Sequence, residues 1–137
     1  MSGRVIRILP ITSYNFSDIT AGASYIFTIA DRIDVSQYRM ATLMVRRHGG
    51  DVGGSAEVKV FARASGYTEQ DPTNVFATST DLASVSITGS ISDPEYYTAE
   101  LTAGDMGAMV IIGISVTQDQ TAQSIDAKLS IDLSLKD

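Results

Sequence analysis

The sequence contains no cysteine and no tryptophan, and it has only three prolines and one histidine among 137 residues. Without cysteine there can be no disulfide, no thiolate zinc site and no cysteine nucleophile. One imidazole cannot supply the several ligands that a transition-metal site usually needs. No apolar run reaches the roughly 18 residues of a membrane-spanning helix. We therefore expect a soluble protein, made in a cytosol, with no membrane contact.

Basic residues are also scarce, because ten Lys and Arg stand against 16 Asp and Glu and give a net charge of −6. Binding to a phosphate backbone depends on clustered Lys and Arg. The densest basic group is Arg46-Arg47-His48, which is only three residues long. We interpret it as the end of a strand beside a turn, and we expect no nucleic-acid partner.

The last part of the chain carries the clearest pattern. Every odd position from Ile125 to Leu135 is apolar, and the even positions between them are polar or charged. Side chains on a strand point alternately to opposite faces, so this pattern predicts one long strand with a buried and an exposed face. Weaker alternation elsewhere predicts an antiparallel β protein.

Eight strands are predicted, at residues 4–9, 24–30, 40–47, 55–64, 82–88, 95–101, 108–117 and 125–135. Pro10 is expected to end the first strand, and residues 31–34 are expected to interrupt the pattern after the second. The glycine-rich run at 49–54 is expected to join the third and fourth strands as a hairpin. With no helical pattern between the strands, we predict an all-β fold. It is a single domain over residues 1–137, a two-sheet antiparallel sandwich of the jelly-roll kind, with an immunoglobulin-like sandwich as the alternative.

Candidate chemistry is sparse. His48 could serve a Ser-His-Asp triad, but no nucleophile-elbow pattern accompanies it, and we interpret it as an exposed histidine at a strand end. Calcium takes oxygen ligands from loops, and two aspartate pairs could offer them: Asp31 with Asp34, and Asp119 with Asp126. Aspartates are common in turns, so we favour that interpretation and predict no catalytic residue, no metal and no cofactor.

A resemblance to a known family favours one function. The segments 43–48 and 56–60, together with the loop at 68–72, resemble the small jelly-roll cement or decoration proteins of tailed-phage heads. That resemblance implies a non-enzymatic virion protein that binds the major capsid protein at the capsid surface and assembles with itself as a dimer or trimer. It carries over no functional residue.

A long irregular segment near the middle of the chain is the predicted contact with the partner, because long loops often carry function. The partner-binding candidates are Tyr67, Thr68, Glu69, Gln70, Asp71, Pro72, Asn74 and Phe76. The glycine-rich run and the exposed edge strands, the first strand among them, are further candidates.

The alternative function is a carbohydrate-binding module, because tyrosines on a sandwich can stack on sugar rings. Tyr96 and Tyr97 are neighbours on a predicted strand and must point to opposite faces. At most one of them could join such a binding strip.

Overall fold

A computed structural model describes residues 3–17, 24–64, 81–102, 109–118 and 124–137. Within these ranges the chain forms strands and no helix, so no described segment is a helix that could cross a bilayer. The strands are β1 (Arg4–Asn15), β2 (Ser24–Asp34), β3 (Met40–Gly49), β4 (Asp51–Val52), β5 (Glu57–Ala64), β6 (Ala83–Ile87), β7 (Gly89–Ser90), β8 (Glu95–Thr102), β9 (Met109–Thr117) and β10 (Asp126–Lys136).

Two four-stranded antiparallel sheets contain the long strands. The first sheet has the order β1-β10-β3-β8 and the second has the order β2-β9-β5-β6, while β4 and β7 form a small ribbon. The pairing is nested: β1 lies beside β10, β2 beside β9, β3 beside β8, and β5 beside β6. This is the winding of a jelly roll, so the predicted all-β sandwich is confirmed.

The core lies between the two sheets and follows the alternation of the sequence. In β10 the predicted apolar positions are buried, and Leu129, Ile131 and Leu133 have no exposed surface. Burial of each such side chain contributes about 1.5–3 kcal/mol relative to exposure. β9 is central in the second sheet, and both faces of its middle are buried, which is why Ile111 and Ile112 are both inaccessible to solvent.

Two predicted strand ends are wrong. β1 continues past Pro10 to Asn15, because β1 is an edge strand and a missing N–H is tolerated there. The pairing of β1 shifts register twice around this proline, between Arg7 and Leu9 and between Leu9 and Thr12. β2 likewise continues to Asp34, and its register shifts on either side of Ala30 explain why the alternation breaks there.

The predicted hairpin between the third and fourth strands is also wrong. β3 belongs to the first sheet and β5 to the second, so the glycine-rich segment crosses from one sheet to the other. Gly50 and Gly54 both have positive φ, 111° and 60°, a conformation that favours glycine. At Gly50 a side chain would also collide with the backbone of Asp126, since a Cβ would lie 2.2 Å from its carbonyl oxygen.

Candidate functional site

The predicted partner-binding residues Tyr67, Thr68, Glu69, Gln70, Asp71, Pro72, Asn74 and Phe76 lie outside the described residues, so their role stays a prediction. A concave site among the described residues lies on the outer face of the first sheet, and we call it the outer-face pocket. Its volume is about 260 Å³. Its lining includes the polar and charged residues Arg7, Arg46, His48, Tyr96, Thr98, Ser130 and Asp132.

Strand register places these side chains together. Arg46 of β3 lies opposite Ser130 of β10 on one side and opposite Tyr96 of β8 on the other. Asp132, two residues along β10, lies opposite Arg7 of β1. Residues two apart share a face, and the intervening positions of β10 point into the core. The pocket is therefore lined by residues from each of the four strands of the sheet.

Arg46 and Tyr96 form one wall of the pocket. The guanidinium carbon of Arg46 lies 4.7 Å from the centroid of the Tyr96 ring, which is a cation–π contact. Tyr96 is 69% exposed, so its ring forms part of the open rim. The Nε of Arg46 is buried and has no hydrogen-bond acceptor among the described residues. A buried donor without an acceptor is uncommon in folded proteins.

His48 lies near the end of β3, as the sequence predicts, but it is half-buried in the pocket and not exposed, which corrects that part of the interpretation. Its Nε2 is 2.9 Å from the Ser130 hydroxyl oxygen, and Ser130 itself is 6% exposed. Burial lowers the pKa of His48, and the charges of Arg46, Lys128 and Arg7 lower it further. These effects favour the neutral imidazole, and the cations around it create a positive potential.

The Asp132 carboxylate pairs with Arg7 and not with His48. Arg7 donates from Nε to the Asp132 carboxylate at 2.5 Å in an ion pair that is partly exposed to solvent. In a hydrolytic triad the carboxylate instead orients the histidine. Among the described residues no carboxylate is hydrogen-bonded to His48, and its serine is almost fully buried. The pocket can hold a ligand group, but the described residues that line it do not form a Ser-His-Asp triad.

Of the other sequence candidates that the structure describes, Tyr97 contributes to the lining of the pocket, whereas Asp34 and Asp126 do not. Tyr97 points away from Tyr96, as predicted, and packs against the core, while its hydroxyl donates to Glu95 at 3.1 Å. Asp34 accepts hydrogen bonds from the backbone and hydroxyl of Ser36, as expected of a turn aspartate. Asp119 lies outside the described residues. No group of acidic residues or histidines within the described ranges is arranged to hold a metal ion.

Sequence reasoning found part of this site. The basic group at Arg46 and His48 was visible, and so was the polar face of β10 that bears Ser130 and Asp132. The contact between these residues was not predictable, because His48 and Ser130 are 82 positions apart and become neighbours only through the strand order. Arg7 also lies in the pocket because of the strand order, since β1 pairs with β10.

No protein-family model and no curated protein matches the chain. Solved structures do match it in fold. A chain from the structure of infectious bursal disease virus Gx strain superposes with a TM-score of 0.57 at 8% identity, over 98% of this chain and 31% of that one. A chain from the infectious bursal disease virus VP2 subviral particle gives 0.55 at 9% identity, over 98% and 32%.

These likenesses establish a shared fold and no more, because the identities are so low. This chain spans about a third of the viral chains that it matches. A carbohydrate-binding domain, CBM36-1 of a multidomain xylanase from the hindgut metagenome of Trinervitermes trinervoides, superposes with a TM-score of only 0.41 at 12% identity. The class defined by the described structure is therefore a jelly-roll β-sandwich, a fold that includes proteins of viral particles.

Proposed function

We propose that this protein is a non-enzymatic structural subunit that binds and reinforces a bacteriophage capsid lattice as a decoration or cement protein. The observation that carries the proposal is the nested jelly-roll winding of the eight long strands, which the chain shares with proteins of viral particles. The proposed partners are the major capsid protein and other copies of this chain, as a dimer or trimer. In this role the protein lies on the capsid surface after synthesis in the host cytoplasm.

The described surface supports a binding role. Large apolar side chains are exposed on edge strands of both sheets: Val5 and Ile11 on β1, and Tyr25 and Ile26 on β2. Each of the four is about half exposed or more. Apolar and aromatic groups at the surface are the usual anchors of protein interfaces.

At the edge strands β1 and β2, docking through side chains fits this structure better than addition of a partner strand. Pro10 and two register shifts interrupt the edge strand β1, and two register shifts interrupt β2 on the neighbouring sheet. Irregularities of this kind are how natural sheets prevent their edges from pairing with other chains. A partner at these two strands is therefore expected to contact their exposed side chains.

Co-sedimentation with capsids tests the proposal. The purified protein is mixed with capsids assembled from the major capsid protein of the same virus, and the bound fraction is measured across protein concentrations. We expect saturable binding at a fixed ratio to capsid subunits. A variant lacking residues 67–76 should fold but lose binding, and full retention would remove that loop from the proposed interface. A protein that never sediments with capsids at any concentration would refute the function.

A carbohydrate-binding module is the alternative, and Tyr96 is the residue that bears on it. Its exposed ring could stack on a sugar, but the Arg46 guanidinium already lies against that ring. Binding to a glycan array, with or without calcium, would favour the alternative.

A further inference from the structure

We propose that the outer-face pocket is a receptor for a carboxylate side chain, an Asp or Glu presented by an acidic segment of the partner protein. The identity of that partner as the capsid protein rests on the proposed function. The carboxylate chemistry of the pocket does not, because it comes from the residues of the pocket alone.

The first argument is the unsatisfied donor. The Nε of Arg46 is buried, and among the described residues it has no acceptor, although the side chain is held in place by the Tyr96 ring. A carboxylate is the natural acceptor for a guanidinium, because its two oxygens match the planar fork of N–H groups. A bound Asp or Glu would pair with the guanidinium, and a local adjustment of the Arg46 side chain would bring the Nε, which is closed to solvent in the described structure, within its reach.

The second argument is charge. Asp132 is the only acidic residue among the described residues that line the pocket, and Arg7 already engages it. Arg46 is left without a counter-ion in the described structure, and Lys128 lies close enough to His48 to influence its titration. The whole protein carries a net charge of −6, so this positive region stands out against its surroundings. Complementary charge of this kind steers partners and sets the orientation in which they dock.

The third argument is size and surroundings. A volume of about 260 Å³ lies below the roughly 300–1,000 Å³ of typical small-molecule sites, and it suits one side chain. The rim carries Tyr96 and Ile11, both more than half exposed. Arg and Tyr are enriched among the residues that dominate the energy of protein interfaces. A pocket for one acidic side chain, framed by an aromatic and an aliphatic group, is therefore a protein-docking site.

The first experiment observes Arg46 directly. In ¹⁵N-labelled wild-type protein the Arg46 Nε–Hε cross-peak is followed by NMR while hexaglutamate is added, with hexaglutamine as the uncharged control peptide. We expect a saturable shift with hexaglutamate, shared by His48, and none with hexaglutamine. The Nε–Hε signal of Arg39 serves as an internal control, because Arg39 is exposed and directly precedes β3, at the end of that strand remote from Arg46. An unchanged Arg46 signal, or equal shifts with both peptides, would overturn the proposal.

The second experiment measures capsid binding by the variants Arg46→Gln and Arg39→Gln, which lose the same charge. We expect about 10-fold weaker binding for Arg46→Gln and unchanged binding for Arg39→Gln, since loss of one charge-assisted contact is worth at least a factor of ten. Equal binding by the two variants would exclude the pocket from the capsid interface.

The two experiments separate the possible failures. If hexaglutamate shifts Arg46 but wild-type protein does not bind capsids, the carboxylate receptor stands and the capsid function fails. If wild-type protein binds capsids but Arg46 responds neither to the peptide nor to substitution, the function stands and the receptor fails.

Discussion

Replacing Arg47 with methionine should destabilise the sandwich more than any other single substitution on the β3 strand that removes a charge. Arg47 is fully buried on the core side of β3. Its Nη1 donates to the Thr88 carbonyl at 2.9 Å, and its Nη2 donates to the carbonyls of Gly50 at 3.2 Å and of Gly89. The carbonyl of Gly89 belongs to β7, and those of Gly50 and Thr88 directly precede β4 and β7, so one guanidinium ties that ribbon to the first sheet.

The magnitude follows from what methionine leaves behind. Three carbonyls lose their donor, and a buried acceptor without a partner costs about 1–3 kcal/mol. Water can restore part of this loss, because Gly50, Thr88 and Gly89 are exposed residues. Methionine also removes a permanently charged group from the interior, which offsets a further part. We expect a net loss of about 2–3 kcal/mol in the free energy of unfolding.

Lysine at the same position separates geometry from charge. Its single nitrogen keeps the charge buried but cannot span three carbonyls as the planar guanidinium does. Arg47→Lys should therefore lose at least as much stability as Arg47→Met, in urea unfolding followed by far-ultraviolet circular dichroism. Arg39→Met, a surface change, should stay within about 0.5 kcal/mol of wild type. An Arg47→Met protein as stable as the Arg39 control, or a fully stable Arg47→Lys protein, would refute this reasoning.

Three further predictions concern packing and pH. Gly113→Ala should cost about 1–3 kcal/mol in urea unfolding, because the new Cβ would lie 2.5 Å from the Phe61 ring. Asp81 accepts from Arg63 at 2.7 Å and pairs with Lys59 at 2.9 Å; burial alone would raise its pKa, but these contacts outweigh burial and lower it. The contribution of Asp81 to stability is thus present above the ordinary carboxyl pKa of 3.8 and declines as the pH falls through the lower pKa of the folded state. Asp81→Asn should weaken that decline when the free energy of unfolding is measured from pH 5 to 2. Because the pKa of His48 is lowered in the folded state, its contribution to stability is complete above the ordinary value of 6.5 and declines as the pH falls below that value. His48→Gln should remove this decline from the urea unfolding midpoints measured from pH 7.5 to 5.

Each of these predictions has a matched control or a contradicting result. Gly49→Ala is the control for Gly113, since a Cβ at Gly49 meets nothing within 4 Å, and equal effects at the two glycines would contradict the packing argument. For Asp81, an acid-unfolding profile unchanged by asparagine would show that the ion pairs contribute nothing. For His48, a glutamine variant that retains the full decline below pH 6.5 would place the responsible proton elsewhere.

Local patterns predicted the elements well where side chains alternate without interruption. β10 and β9 lie within a residue or so of their predicted positions, because a regular period of two specifies both strand and buried face. The same reasoning failed at Pro10 and after Ala30, where register shifts let a strand continue through a broken pattern. A bulge depends on the neighbouring strand, so one strand's own sequence does not reveal it.

Long-range relations were beyond sequence reasoning. The glycines from Gly49 to Gly54 predicted a turn, yet a turn signal does not say whether the chain returns to the same sheet or crosses to the other. Arg47 belonged to a visible basic group, but its burial depends on carbonyls of Thr88 and Gly89 about forty positions away. The outer-face pocket depends in the same way on strand order, which places Arg7 and Asp132 side by side.

Cryo-electron microscopy of capsids incubated with this protein tests the central claim most directly. The account predicts extra density in the size and shape of one jelly roll at repeated lattice positions, with the outer face of the first sheet turned toward the capsid. An acidic side chain of the capsid protein should lie against Arg46. Capsids without added density, or bound subunits whose Arg46 faces solvent, would contradict it.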